Sequence, residues 1–412
     1  MQKPRTLRSN FSWTLLGNVV YAACQWGLLM SMAKIGTAHM VGEFSLGLAV
    51  TAPIFMLSNL QLSGILATDA KSSQSFENYL GLRMCTTLIA LVIIIFLVLL
   101  GRYQFETSLI IILIGIAKGS ESISDVIFGL LQKNEKMERV AISLMLKGIL
   151  SLVVLCILLW TTNNLVLGIV GYVISSITVL LLYDISVFRQ YKIKLVFDLS
   201  KLWSLVRVCL PLGFVMMLVS LNANIPRYFI EHYIGIESVG YFAALSYIMI
   251  AGNTVISALG QSVSPRLARY YSILNMKGFK KLLFLLVVIG FIVGAIGWVI
   301  SLLFSKEILT LLYKPNYAEY TSVFILIMFG AWASYIASFL GYGMTATRKF
   351  KIQPLLFIIV TIVCTISNAV LIPFKGLEGA SYAMIITNLT QLVGSGLIII
   401  NIIQKQKIES VS

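Results

Sequence analysis

The sequence predicts an all-α integral membrane protein of about twelve transmembrane helices, and composition, run length and the placement of basic residues predict it. Hydrophobic residues make up 58% of the chain and charged residues 11%. The mean hydropathy is +0.93. Soluble domains carry charge at about a quarter of their positions, so water is not the main solvent here. A helix crosses a hydrocarbon layer of roughly 30 Å with about 20 apolar residues, and 412 residues leave room for a dozen such crossings. The other spanning solution, a closed barrel, needs strands of alternating polarity. Runs such as Ile110-Ile111-Ile112-Leu113 and Leu91-Val92-Ile93-Ile94-Ile95 do not alternate.

Apolar runs place the spans near 11–34, 41–66, 80–100, 107–131, 140–161, 164–187, 206–230, 238–262, 282–304, 321–344, 354–373 and 380–403. The first follows the basic start Lys3, Arg5 and Arg8, lacks a small-residue cleavage site and exceeds a signal core in length, so it is expected to stay in the mature protein. Lysine and arginine collect in cytoplasmic loops. With the N-terminus inside, inner segments hold Lys3, Arg5, Arg8, Lys71, Lys133, Lys136, Arg139, Arg189, Lys192, Lys194, Lys201, Arg266, Arg269, Lys277, Lys280, Lys281, Arg348, Lys349, Lys351, Lys405 and Lys407. Outer segments hold Arg102, Lys306, Lys314 and Lys375. That asymmetry predicts an even span count and two cytoplasmic termini. It also accounts for the net charge of +15 as basic loops against anionic lipid, so no nucleic-acid partner is expected.

The two halves echo each other. Ile35-Gly36-Thr37-Ala38-His39-Met40-Val41-Gly42-Glu43-Phe44 is matched by Ile234-Gly235-Ile236-Glu237-Ser238-Val239-Gly240-Tyr241-Phe242, and Gly168-Ile169-Val170-Gly171 by Gly376-Leu377-Glu378-Gly379. Six spans per half, an even number, make the halves parallel repeats. The expected organisation is a six-helix bundle over 1–187, a cytoplasmic linker over 188–205 with room for an amphipathic helix, and a second bundle over 206–412, the bundles facing a central cavity. Pro53 and Pro211 are expected to kink their helices.

Ionisable residues at membrane depth are costly and by default face a cavity or a partner. Lys118, Glu121 and Asp125 are spaced i, i+3 and i+7 in the fourth span, on one helix face. Lys147 lies in the fifth. Asp125 and Lys147 sit at similar distances from the inner end and are expected to pair. Two readings stand for the four: a neutral cluster joining helices, or a cavity lining in which lysines attract an anionic group and a carboxylate titrates. Lys34, Arg83 and Arg207 lie near span ends, where long side chains reach the headgroups. Arg227 and Glu231, spaced i, i+4 beside Pro226, could form a helix pair. Asn18 and Gln25 share a face of the first span, and Asn222 and Asn224 fall in the matching part of the seventh. These amides could meet the hydroxyls of a ligand or join helices.

Other chemistries find no support. Cys24, Cys85, Cys156, Cys209 and Cys364 lie singly in apolar runs with no CxxC. His39 and His232 are the only histidines and sit near outer helix ends, so neither metal nor other cofactor is expected. No GxxxxGK[ST] loop is present, so this chain does not hydrolyse ATP.

Asn10-Phe11-Ser12-Trp13-Thr14-Leu15-Leu16-Gly17-Asn18, Val41-Gly42-Glu43-Phe44, Ala52-Pro53 and Leu66-Ala67-Thr68-Asp69 resemble the start of the Wzx-like polysaccharide flippases of the multidrug/oligosaccharidyl-lipid/polysaccharide (MOP) superfamily. Leu210-Pro211-Leu212-Gly213, Asn222 to Arg227, Val239-Gly240-Tyr241-Phe242 and Ser264-Pro265-Arg266-Leu267-Ala268 continue the pattern. The resemblance runs from the first span to the twelfth. It implies a MATE/Wzx-like fold and a non-enzymatic task, moving an undecaprenyl-diphosphate-linked oligosaccharide across a bacterial inner membrane for O-antigen, capsule or another surface polysaccharide. It also implies that a cation on the seventh span serves the anionic substrate, which singles out Arg227, and that the partners are membrane lipids, a coupling ion (H+ or Na+), a polymerase and a chain-length regulator. The alternatives are an ion-coupled exporter of small cationic or amphipathic compounds from the same superfamily, and a membrane enzyme of glycan polymerisation or ligation. The last would need a large outer loop, and none here exceeds about 16 residues.

Overall fold

In a computed structural model, residues 7–68, 75–189, 199–347 and 352–409 are described. The expected charges Lys3, Arg5, Lys71, Lys192, Lys194, Arg348, Lys349 and Lys351 lie outside the described residues, as does half of the expected linker.

The chain is a succession of helices: α1 (Leu7–Ile35), α2 (Ala38–Asn59), α3 (Leu62–Thr68), α4 (Phe76–Leu100), α5 (Phe105–Lys133), α6 (Met137–Thr162), α7 (Leu165–Val179), α8 (Ile185–Arg189), α9 (Leu199–Tyr233), α10 (Ile236–Ser272), α11 (Met276–Leu312), α12 (Thr321–Ala346) and α13 (Ile352–Glu409). Ten helical segments are long and apolar enough to cross a membrane. The longest, Ile352–Gln404, contains a break at Gly376, with φ 56° and ψ −133°. Only glycine adopts that conformation without strain, so the segment is two spans. With α5, a 29-residue helix that is not one of the ten, the described helices are consistent with about twelve spans. This is a multi-pass membrane protein.

Local chemistry sets the helix starts. Thr37 accepts from the Met40 amide before α2, and Asn164 accepts from the Leu167 amide before α7. Asn275 accepts from the Gly278 amide before α11. Each satisfies an amide that a helix start leaves unpaired. A π turn, Leu180–Asp184, joins α7 to α8.

Pro53 sits within α2 and Pro211 within α9, and neither ends its helix. The interruption falls at Leu60 and Gln61, both left-handed at φ 50° and 54°. In membrane helices, neighbouring groups can satisfy the carbonyl that a proline frees. Two consecutive left-handed residues cannot continue a right-handed helix.

The chain divides into two compact units, Met1–Ser220 and Leu221–Ser412. In the first, Leu62 and Leu66 of α3 pack with Tyr79 and Leu82 of α4, Val126 of α5, and Leu202, Leu205 and Cys209 of α9. In the second, Phe279, Leu283 and Leu286 of α11 pack with Ala331, Tyr335 and Phe339 of α12 and Val360 of α13.

Candidate functional site

In the first unit the deep charges resolve into three nodes, each built on an ion pair. Lys147, 4% exposed, donates to Asp184, 2% exposed, across 2.8 Å. Asp184 also accepts from Ser124 and Ser143, each at 2.6 Å. Lys147 donates in addition to the Ser124 hydroxyl and lies 5.2 Å from the Phe128 ring centroid. Every group in this node has a partner, as a buried charge requires.

The second node is on α5. Lys118 Nζ stands 2.8 Å from Glu121 Oε2. The other oxygen, Oε1, accepts from the Tyr21 hydroxyl at 3.1 Å and the Tyr172 hydroxyl at 3.0 Å. The carboxylate thus ties α1, α5 and α7 together.

In the third node Arg83, with no exposed side-chain surface, reaches Asp125, whose side chain is 38% exposed, at 2.8 Å. The same guanidinium donates to Asn59, the last residue of α2, at 2.5 Å and to Ser122 at 3.2 Å. Its Nε has no partner among the described residues.

Two expectations are corrected here. Asp125 and Lys147 are not an ion pair: Asp125 takes Arg83 and Lys147 takes Asp184. Adjacent residues on a helix point about 100° apart. Ser124 therefore faces α6 while Asp125 turns towards α4, whatever their shared depth. Arg83 does not reach the headgroups, because its polar partners lie inside the unit. Asp184 escaped the sequence reading because it lies three residues from the expected end of the sixth span. Lys34 and Arg207 are exposed, as anchoring residues would be, and Arg207 lies over the Trp203 ring at 5.5 Å. Exposed His39 is 3.6 Å from buried Glu43, so it has a carboxylate beside it as well as solvent. Asn18 is exposed and donates to the Thr14 carbonyl at 2.9 Å, and Gln25 is half-buried.

The second unit holds a different arrangement. Arg227, half-buried in α9, donates to Asn224 Oδ1 at 2.5 Å. Its Nε and both amide atoms of Asn222 are buried and unpartnered among the described residues. Glu231, half-buried one turn on, forms no ion pair with Arg227 there, so the helix-pair option is not realised. Asn222 also offers its backbone carbonyl to the Cys364 thiol at 3.7 Å.

Arg83, Lys118 and Lys147 are thus matched by Asp125, Glu121 and Asp184, whereas Arg227 has no carboxylate partner among the described residues. Among the described residues, no group of three or more His, Cys, Asp or Glu side chains could hold a metal ion.

Fold and charges together define a polytopic membrane protein, and its fold is one shared by solved structures of MOP-superfamily members. The chain is similar to a structure titled lipid II flippase MurJ, inward closed conformation, with a TM-score of 0.75 and 15% identity, covering 97% of this chain and 89% of that one. It is also similar to an inward-facing multidrug resistance MATE family transporter of the MOP superfamily, with a TM-score of 0.67 and 16% identity, covering 96% and 95%. A family model described as polysaccharide biosynthesis protein matches residues 7–271, and the chain belongs to that family. A curated relative, the capsular polysaccharide biosynthesis protein CapF of Staphylococcus aureus, is 29% identical over 388 residues, 93% of this chain and 97% of the relative. The family and fold drawn from the sequence therefore hold.

Proposed function

We propose that this protein flips an undecaprenyl-diphosphate-linked oligosaccharide repeat unit across the bacterial cytoplasmic membrane for capsule or related surface polysaccharide assembly, with both termini in the cytoplasm. Family membership and the names of the capsule relative and the flippase neighbour support the pathway. The observation that carries the site is Arg227: a cation within an apolar helix, which among the described residues has no carboxylate partner and lies beside the unpartnered Asn222 amide, suits an anionic headgroup bearing hydroxyls. Bundles over 1–187 and 206–412 would alternate access around it, with 188–205 as linker. Lys118 and Lys147 are spent on Glu121 and Asp184, which moves them from substrate attraction to holding helices. Asn18, Gln25 and Asn224 remain candidates for sugar hydroxyls. Asp125, more exposed than Arg83, is the carboxylate best placed to take part in coupling to H+ or Na+. A polymerase and a chain-length regulator would act on the product.

The test is deletion of the gene followed by return of the wild type or the Arg227→Ala variant. Loss of surface glycan with lipid-linked intermediate accumulating inside, reversed by wild type and not by the variant, is the expected result. Unchanged glycan with new sensitivity to cationic dyes would instead favour the exporter reading.

A further inference from the structure

The strained break at Leu60 and Gln61 has a neighbourhood of its own. Asn59, the residue before it, is gripped by the buried Arg83 guanidinium, which also binds Ser122 and Asp125 of α5. Ser122 donates to the same Asn59 oxygen. On the other side lies the first part of α9. A Cβ added at Gly213 would come within 2.9 Å of the Leu57 carbonyl oxygen and 3.2 Å of Leu60 Cα. The glycine thus lets the α9 backbone touch the break itself. Beyond the break, α3 is only seven residues long, too short to be stable alone. Its Leu62 and Leu66, 0% and 1% exposed, are held in the same apolar cluster as Leu202, Leu205 and Cys209 of α9.

We propose that α3 is a latch: a short hinged helix that clasps the first part of α9, with the Arg83–Asn59–Asp125 node setting the hinge. Two non-glycine residues in the left-handed region are strained, and the node holds them there. The hinge confines motion to α3 while α2 keeps its packing, and release of α3 uncovers the α9 surface around Cys209. This inference is independent of which substrate is carried.

The native thiols supply the test. Cys209, Cys24 and Cys364 are all buried and free, and only Cys209 lies in the α3–α9 seam. The purified full-length protein in lipid nanodiscs is alkylated with N-ethylmaleimide, and each cysteine is followed by peptide mass spectrometry. Arg83→Gln removes the grip on the hinge, and Gly213→Ala pushes α9 off it. Both are expected to speed labelling of Cys209 by roughly tenfold, the change in local opening expected when a charge-assisted contact is lost, with Cys24 and Cys364 unchanged. If Cys209 keeps its wild-type rate in both variants, the latch is overturned. If Arg83→Gln speeds all three thiols alike, the node only holds the unit together and its place in the latch is overturned. Gly213→Ala then decides for α3 itself: a selective rise at Cys209 retains the clasp, and no rise removes it.

Discussion

Val41-Gly42-Glu43-Phe44 and Val239-Gly240-Tyr241-Phe242 stand at matching places in the two halves, and each fastens the second helix of its half to the fourth by different chemistry. Glu43, 3% exposed, accepts from Thr107 at the start of α5 at 2.9 Å. Tyr241 packs its ring on Tyr317 and Tyr320, at centroid distances of 4.9 and 4.4 Å, just before and at the start of α12. The repeat preserves the brace and not the interaction. The same contrast runs deeper. Among the described residues, the first unit holds the Arg83, Lys118 and Lys147 ion pairs with hydroxyl and amide partners, whereas the second packs Phe291, Trp298, Phe329 and Trp332 ring on ring and carries Arg227 without a carboxylate partner. In the first unit polarity specifies how helices pack. In the second it is left available, which is why Arg227 is assigned to substrate.

That contrast is sharpest at Lys147. Lys147→Ala leaves Asp184 buried and uncompensated and is expected to cost about 3–5 kcal/mol, read as a lowered melting temperature in detergent. Replacing both partners, Lys147→Met with Asp184→Leu, should restore most of it, because two apolar side chains carry no desolvation penalty. Failure of the double variant to recover would mean that the pair does more than hold helices.

Arg227→Ala should behave in the opposite way. Glycan export is expected to fall by roughly tenfold, as when a charged hydrogen-bonding group is lost, with the melting temperature unchanged. A stability loss without an export loss would place Arg227 among the structural charges and erase the distinction between the units.

A smaller effect is expected at Glu121→Gln. Its amide oxygen still accepts from Tyr21 and Tyr172, and the Lys118 contact is about a fifth exposed on both sides, so about 1 kcal/mol should be lost. Smallest of all is Tyr241→Phe, which keeps the ring stack and gives up one 3.3 Å hydrogen bond to Glu237. The melting temperature should hardly move, within about 0.5 kcal/mol; a larger drop would show that the brace depends on the hydroxyl.

The helical membrane fold was legible in the sequence because bilayer thickness fixes run length, a local signal, and the family because short motifs such as Val41-Gly42-Glu43-Phe44 and Leu210-Pro211-Leu212-Gly213 stand in order along the chain. Partner choice was not. The depth of Asp125 and Lys147 suggested a pair, but helix azimuth decides contact, and azimuth depends on how α4, α5 and α6 turn towards one another. Arg83 looked like a headgroup anchor because only its distance from the span end was visible. Its partners Asn59, Ser122 and Asp125 come from two other helices. Tyr183-Asp184 was the overlooked clue, a carboxylate following an unbroken apolar run, and the π turn that ends at Asp184 cannot be read from hydropathy. Likewise the prolines drew attention to Pro53, whereas the break fell at Leu60 and Gln61, which have no helix-breaking signature.

The most direct test of the division between the units is to measure how lipid-linked intermediate distributes between inner and outer leaflets in cells carrying wild type, Arg227→Ala, or Lys147→Met with Asp184→Leu, at equal folded protein. Intermediate reaching the outer leaflet with the paired replacement and held inside with Arg227→Ala is the predicted result. Normal translocation by Arg227→Ala together with none by the paired replacement would contradict the assignment.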